Sequence, residues 1–366
     1  MFINIVLYLI FFLFSLGQLG RISFFNQQIN FYLYEVFLGL FLLVLFFKYR
    51  FNPITDAWKK STSSFIFLFI LFLSLLIGFN QYSLFENTVG FLYFLRLSLY
   101  LTYWSYLSYW SKKDPNCKKV LKNGIMIITV VTIITTVTQY LLYPDLRNLF
   151  YLGWDPHLYR TFGVFFDTAI AGTIYGMIFL FSDQFIVKSI FLIFLVLSFS
   201  RSIYLSFIIA LLYLFIKKSQ FKKLFIYLFI LLFLIFLAPK PAGEGVNITR
   251  TFSIVSRVKD YQEGINLFLK KPIFGYGYNR LRYLRNIQGS HAGASFSSSY
   301  LTVLVSSGLI GLIGLISLMG LIWRHSKNAR ALIVFLGTVS LFDNVLLHPF
   351  ILFFAGVLFT LFDKKQ

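Results

Sequence analysis

Charge is scarce in this chain, and acid is scarcest. Of 366 residues 13% are charged, with 33 Lys or Arg against 13 Asp or Glu. A soluble protein of this length carries about twice that charged fraction. With 58% of residues hydrophobic, too little polar surface remains to cover a water-soluble globule, so lipid must solvate most of the chain. Cysteine is nearly missing. Cys117 alone excludes an intramolecular disulfide, and its flanks, KKDPNCKK, suit a cytoplasmic loop. The four histidines, His157, His291, His325 and His348, are scattered, with no HExxH or CxxC, so neither a metal site nor a cofactor is expected. No repeat of about 20–50 residues is visible, which argues against a solenoid. The net charge of +20 sits mostly between apolar runs. That distribution reads as membrane topology and not as nucleic-acid binding.

What is present is apolar length. A span needs about 20 apolar residues to cross about 30 Å of hydrocarbon. Runs of that kind cover roughly 2–19, 30–47, 64–80, 89–110, 122–143, 162–182, 223–238, 297–323, 331–346 and 349–362. The first run lacks a basic n-region and a small-residue cleavage site, so it reads as a span and not as a removed leader. The stretch 189–216 is harder, because Arg201 is its only charge. It is either one tilted helix with Arg201 near the bilayer centre or a hairpin with a recessed Ser-Arg-Ser turn. Charge counting barely separates the two. A central arginine costs about 2.5–3.5 kcal/mol on insertion scales, which favours the hairpin. The expectation is an all-α, polytopic membrane protein: one integral domain over 1–366, about twelve spans, both termini cytoplasmic. A large extracytoplasmic loop, 239–296, lies between the ninth and tenth spans.

That loop is unusually basic for an outer segment, with nine Lys or Arg against Glu244, Asp260 and Glu263. Such an excess on the outer face points to an anionic ligand held beside the membrane. Within it, TFSIVSRVKDYQEGINLFLKKP spaces its apolar residues as one amphipathic helix ending before Pro272. PIFGYGYNR is a glycine-punctuated turn. Gly308, Gly311 and Gly314 in the next run permit close helix packing in lipid. Glu35 and Glu86 read as topological, Arg96 has no obvious partner, and Asp343 with His348 reads as a polar outer turn.

RTFGVFFDTAIAG, FSRS, SRVKDYQEGINLFLKKPIFGYG and SSSYLTVLVSSGLIG occur in this order over about 150–315. Together they resemble the bacterial O-antigen ligase superfamily, which includes O-antigen polymerases. The resemblance implies a metal-independent, multi-pass glycosyltransferase of cell-envelope polysaccharide or lipopolysaccharide biosynthesis. Its active site faces outward from the cytoplasmic membrane. It moves a glycan from a polyprenyl diphosphate to a lipid or other surface acceptor. Carried over by position, Arg201 occupies the Ser-Arg turn, Arg257 opens the loop helix near the donor diphosphate, and Arg160 opens the sixth span. Arg250 and Arg280 are further candidates for the diphosphate. The chain departs from the family where a histidine is common, at Ser297. His291 is therefore the expected general base, with Asp167 as the alternative. Arginine suits a diphosphate because its planar fork matches phosphate oxygens and stays charged.

Two other readings remain beside the ligase. A polymerase would extend lipid-linked repeats with the same machinery. A lipid-linked glycan transporter would show a pseudo-repeat and midplane charge in both halves, whereas the arginines cluster after residue 150.

Overall fold

The computed structural model describes residues 2–60, 62–241, 244–247, 249–287 and 295–362. The described residues form fifteen α-helices and one two-stranded sheet. Twelve helices overlie the apolar runs. In order they are α1 (Phe2–Phe14), α2 (Leu33–Tyr49), α4 (Thr62–Ile77), α5 (Leu84–Lys113), α6 (Cys117–Leu142), α7 (Thr168–Phe181), α8 (Phe185–Leu197), α9 (Arg201–Lys217), α10 (Phe221–Leu237), α13 (Ser299–His325), α14 (Arg330–Phe342) and α15 (Pro349–Phe362). The remaining three, α3 (Asn52–Lys60), α11 (Phe252–Lys270) and α12 (Leu281–Leu284), lie in the polar connections. By length and composition two helices, Cys117–Leu142 and Ser299–Arg324, can cross a membrane, or three if α3 and α4, bent by 98°, count as one. Several others are only 13–17 residues long.

Caps explain where several helices start. Ser83 and Glu86 close α5 reciprocally: the Glu86 N–H donates to Ser83 Oγ (3.3 Å) and the Ser83 N–H to Glu86 Oε2 (2.8 Å). Glu86 thus caps the start of α5. Asp167 caps α7, accepting from the Ala169 and Ile170 N–H groups at 2.7 and 2.9 Å. This cap starts the helix at Thr168, later than the apolar run at 162 implied.

Two backbone features bear on the sequence reading. First, the fold is not purely helical. Strands β1 (Arg21–Phe24) and β2 (Ile29–Tyr32) pair antiparallel, Arg21 opposite Tyr32. Phe25, Asn26 and Gln27 take left-handed φ values of 49°, 50° and 63° to close the turn. Four residues per strand are too few for alternation to stand out between two long apolar runs. Second, the 189–216 run is two helices broken at the Ser-Arg-Ser turn, as the hairpin reading expected. The chain leaves α8 at Ser198, Phe199 adopts φ 46°, and Arg201 starts α9.

The core is aromatic. α15 is buried all round, as an apolar helix inside a bundle must be. Its Phe353 packs on Phe14 of α1 at 4.9 Å between ring centroids and on Tyr103 of α5 at 5.3 Å. α10, in contrast, buries only Leu224 and Leu231 and turns its phenylalanines outward.

The loop helix α11 lies against α13 where Gly264 faces Leu301. Beyond α11 the PIFGYG segment runs into a break in α13. Gly308 there has φ 69° and ψ −171°, and the Leu309 N–H donates to the Pro272 carbonyl at 2.8 Å. The Tyr276 and Gly277 N–H groups donate to the Val305 and Ser306 carbonyls at 3.1 and 2.8 Å. Backbone of this kind is essentially restricted to glycine, and a Cβ at Gly308 would meet the Ile273 carbonyl. Gly308→Ala therefore costs at least about 1–3 kcal/mol. Thermal unfolding in detergent should show a lowered midpoint, and an unchanged midpoint would contradict this account of the break.

Candidate active site

The three longest polar connections meet at one end of the bundle, around a cavity of about 1050 Å³. That is at the upper end of the usual range for ligand sites. Its walls come from the segment between α1 and α2 with its β-hairpin, α5, the segment between α6 and α7, the turn between α8 and α9, the loop with α11, and the polar turn after α14.

The cavity is built on the end of α8. The last carbonyls of a helix have no intrahelical partner and carry partial negative charge. Here they are claimed by two other segments. The Thr161 N–H donates to the Leu197 carbonyl at 3.0 Å, and Arg160 Nε to the Ser198 carbonyl at 2.7 Å. Arg250 Nη2 reaches the Phe199 carbonyl at 3.2 Å. Arg160 is further held by Thr168 Oγ1, which accepts from its Nη2 at 2.7 Å. Burial, with the Arg250 charge adding to it, pulls the Arg160 guanidinium down to about 10, so it stays charged at neutral pH.

Arg201, the first residue of α9, points at the loop. Its Nη1 donates to the Arg250 carbonyl (2.9 Å) and its Nη2 to Ser253 Oγ (2.6 Å). Arg257, one turn further along α11, donates from Nη2 to Asp343 Oδ1 at 2.8 Å. The other Asp343 oxygen accepts from Ser202 Oγ. Four guanidiniums thus gather around three carboxylates, Asp155, Asp167 and Asp343, leaving surplus positive charge on this part of the wall. Asp167 uses Oδ1 for its two backbone bonds. Burial pushes its carboxyl up to about 6; the Ile170 and Ala169 N–H groups oppose the rise and the Asp343 charge adds to it. Burial disfavours the charged form of an acid, which is how a carboxylate becomes a usable base near neutral pH.

Of the residues singled out in the sequence, Arg160, Arg201, Arg250, Arg257 and Asp167 all line this cavity. Arg280 does not. Its guanidinium stacks on the Tyr82 ring at 4.9 Å and bonds Asn87 Oδ1, so it locks α12 to α5 away from the cavity. Its charge is used for packing, a role that residue type and spacing do not distinguish from ligand binding. His291 lies outside the described residues. Ser297, at the family's histidine position, donates through Oγ and N to Asp260 Oδ2 at 2.5 and 2.9 Å. Arg285 holds the other Asp260 oxygen at 2.9 Å.

Asp343 was missed as a site residue and read as part of an outer turn. The available signal was an acid interrupting apolar runs, which marks a functional position by default in membrane proteins. Arg96 and Glu35 form a bidentate pair at 2.6 and 2.8 Å, so Arg96 does have a partner and Glu35 is not merely topological.

Residues 186–316 match the family model described as O-Antigen ligase. The match supports the O-antigen ligase and polymerase superfamily, as the motifs in the sequence implied. It spans α8 to the first part of α13, and so includes Arg201, Arg250, Arg257, Ser297 and the Gly308 break. Arg160, Asp167 and Asp343 lie outside it. No curated protein matches the chain. Similarity to that family points to a glycosyltransferase-like enzyme of polysaccharide or lipopolysaccharide biosynthesis, a family that acts on lipid-linked glycans. Together with the apolar helices it points to an integral membrane protein.

Removing Arg280 should then affect the fold and not the cavity. Arg280→Gln is expected to cost about 1–3 kcal/mol of stability while inorganic pyrophosphate binds the folded fraction as in the parent. A normal melting midpoint with lost pyrophosphate binding would return Arg280 to the site.

Proposed function

We propose that this protein is a membrane glycosyltransferase of the O-antigen ligase type. It moves a glycan from a polyprenyl diphosphate to a lipid or other surface acceptor on the outer side of the cytoplasmic membrane. Its twelve apolar helices act as spans, with the cavity opening at the outer face. The observation that carries the reading is the convergence of four arginines from separate stretches of chain, Arg160, Arg201, Arg250 and Arg257, on one cavity.

The chemistry follows from that wall. As the anomeric C–O bond breaks, the bonding pair leaves with the diphosphate, which gains charge. Fixed guanidiniums in a low-dielectric cavity stabilise that charge far more than water does. They supply it without a metal ion. Arg257 of the loop helix and Arg201, bonded to that helix through Ser253, contact the diphosphate; Arg160 and Arg250 set the potential behind them. On arrival the diphosphate competes with Asp343 for Arg257. The acceptor hydroxyl attacks the anomeric carbon from the opposite face, which inverts its configuration, and its proton passes to a base. Asp167 is the base among the described residues, with its raised carboxyl at the cavity wall.

Arg201→Ala and Arg257→Ala should each abolish transfer from a polyprenyl-diphosphate oligosaccharide while membrane insertion is kept. Insertion with normal transfer in both variants refutes the reading. Without a separate acceptor, chain lengthening by the purified protein identifies a polymerase; transfer only with acceptor identifies a ligase.

The base gives a pH test. A base works deprotonated, so kcat/KM should rise through about pH 6, the value to which Asp167 is raised, and level off above it. Asp167→Asn should remove most of the rate, about 10²–10⁴-fold, together with that limb. If His291→Ala removes the limb and Asp167→Asn leaves it, the base is His291.

A further inference from the structure

A second group of arginines lines the same cavity, from different elements: Arg21 of β1, Arg96 of α5 and Arg282 of α12. Arg21 donates from Nε and Nη2 to Asn30 Oδ1 (3.1 and 2.9 Å) and lies over the Trp154 ring at 5.6 Å. Arg96 is paired with Glu35 and stands over Tyr32 and Tyr93 at 5.2 and 5.7 Å. Arg282 is the informative member. It is 2% exposed, its Nη1 has only a long bond to the Gln27 carbonyl (3.3 Å), and its buried Nε has no partner. Asn279, also in the wall, buries an amide nitrogen with no partner. Buried charged donors are normally satisfied, and one left open in a cavity wall wants an acceptor from outside the chain.

The group is electrically distinct from the first. The cations acting on Arg21 are Arg96 and Arg282, which add to burial in lowering it, whereas Arg160 responds to Arg250, Asp167 and Asp343. Among the described residues Arg96 is ion-paired with Glu35, and no ion pair is formed by Arg21 or Arg282. A transferase also has to seat two substrates in one chamber, and one basic wall suffices for one diphosphate.

We propose that Arg21, Arg96, Arg282 and Asn279 form a second anion subsite, which binds a phosphate or carboxylate group carried by the acceptor. The proposal rests on the transferase reading above. Arg282 and Asn279 give the unpaired N–H groups, and Arg21 and Arg96 give the field. The same chemistry would accept the diphosphate of a second lipid-linked chain, which is the source a polymerase uses.

The test uses the full chain in nanodiscs, titrated calorimetrically with inorganic pyrophosphate. The parent should bind at two sites. Arg21→Gln and Arg282→Gln should each weaken one site by about ten- to a hundredfold, and Arg257→Gln should weaken the other. Two variants are needed because Arg282 is buried; Arg21 is half-buried, and its loss is milder for the fold. Wild-type affinity at both sites in folded Arg21→Gln and Arg282→Gln overturns this inference and leaves the donor site untouched. Wild-type affinity at both sites in Arg257→Gln and Arg201→Ala overturns the donor reading instead. Transfer assays then separate the sources. With a phosphorylated acceptor, Arg21→Gln should raise KM, and the dephosphorylated acceptor should show no change. If Arg21→Gln instead slows only lengthening without a separate acceptor, the second diphosphate is the ligand. Equal KM changes for both acceptors, with lengthening unaffected, overturn the subsite.

Discussion

The carbonyl groups left over at the end of α8 organise this protein. Leu197, Ser198 and Phe199 expose backbone oxygens because the helix stops there and the next begins only at Arg201. In an apolar bundle such oxygens must be satisfied by the chain itself. Thr161 and Arg160 reach them from one side and Arg250 from the other. One short break in helix therefore draws two distant loops together and fixes the direction of their guanidiniums. Arg201, at the start of the following helix, closes the ring by donating to the Arg250 carbonyl.

The wall that results is positive but not uniformly so. Asp343 holds Arg257, and Ser202 holds Asp343, so one of the four cations rests on an internal counterion. An anionic ligand that displaces Asp343 exchanges one ion pair for another and does not have to desolvate a bare charge, which would be costlier. The arrangement also joins α11 in the loop to the end of α14 in the bundle. The helix carrying Arg257 is thereby set by the same contacts that gather the charge, along with Gly264 against Leu301 and Tyr261 on the Leu341 carbonyl.

Around this site the arginines divide by where their guanidiniums lie and what holds them, for Arg280 too buries Nε and Nη1 without a partner, but off the cavity. Arg280 is buried against Tyr82 and Asn87 and serves packing. Arg285 is taken up by Asp260 and Glu263 and stiffens the loop at Ser297. Arg282, two residues from Arg280 and as deeply buried, faces the cavity with an open N–H. Neighbours in sequence thus fall into different roles because α12 is a single turn, and adjacent residues on one turn point in different directions.

The amino-acid order by itself determined the membrane class, the position of the apolar runs, the amphipathic loop helix and the excess of arginine in the loop. All of these are readable because lipid imposes long apolar stretches and because a 3.6-residue period shows in nineteen residues. It also marked Arg160, Arg201, Arg250, Arg257 and Arg280 as candidates for one diphosphate, with His291 or Asp167 as the base. The hairpin β1–β2 escaped because eight residues between two apolar runs carry too little pattern. Only the tertiary structure decided which arginines share the cavity, that Asp343 is their counterion, and that Arg280 is not among them. Charge is a property of a residue, but the neighbours that use it come from segments dozens to hundreds of positions away, and no local spacing records that meeting.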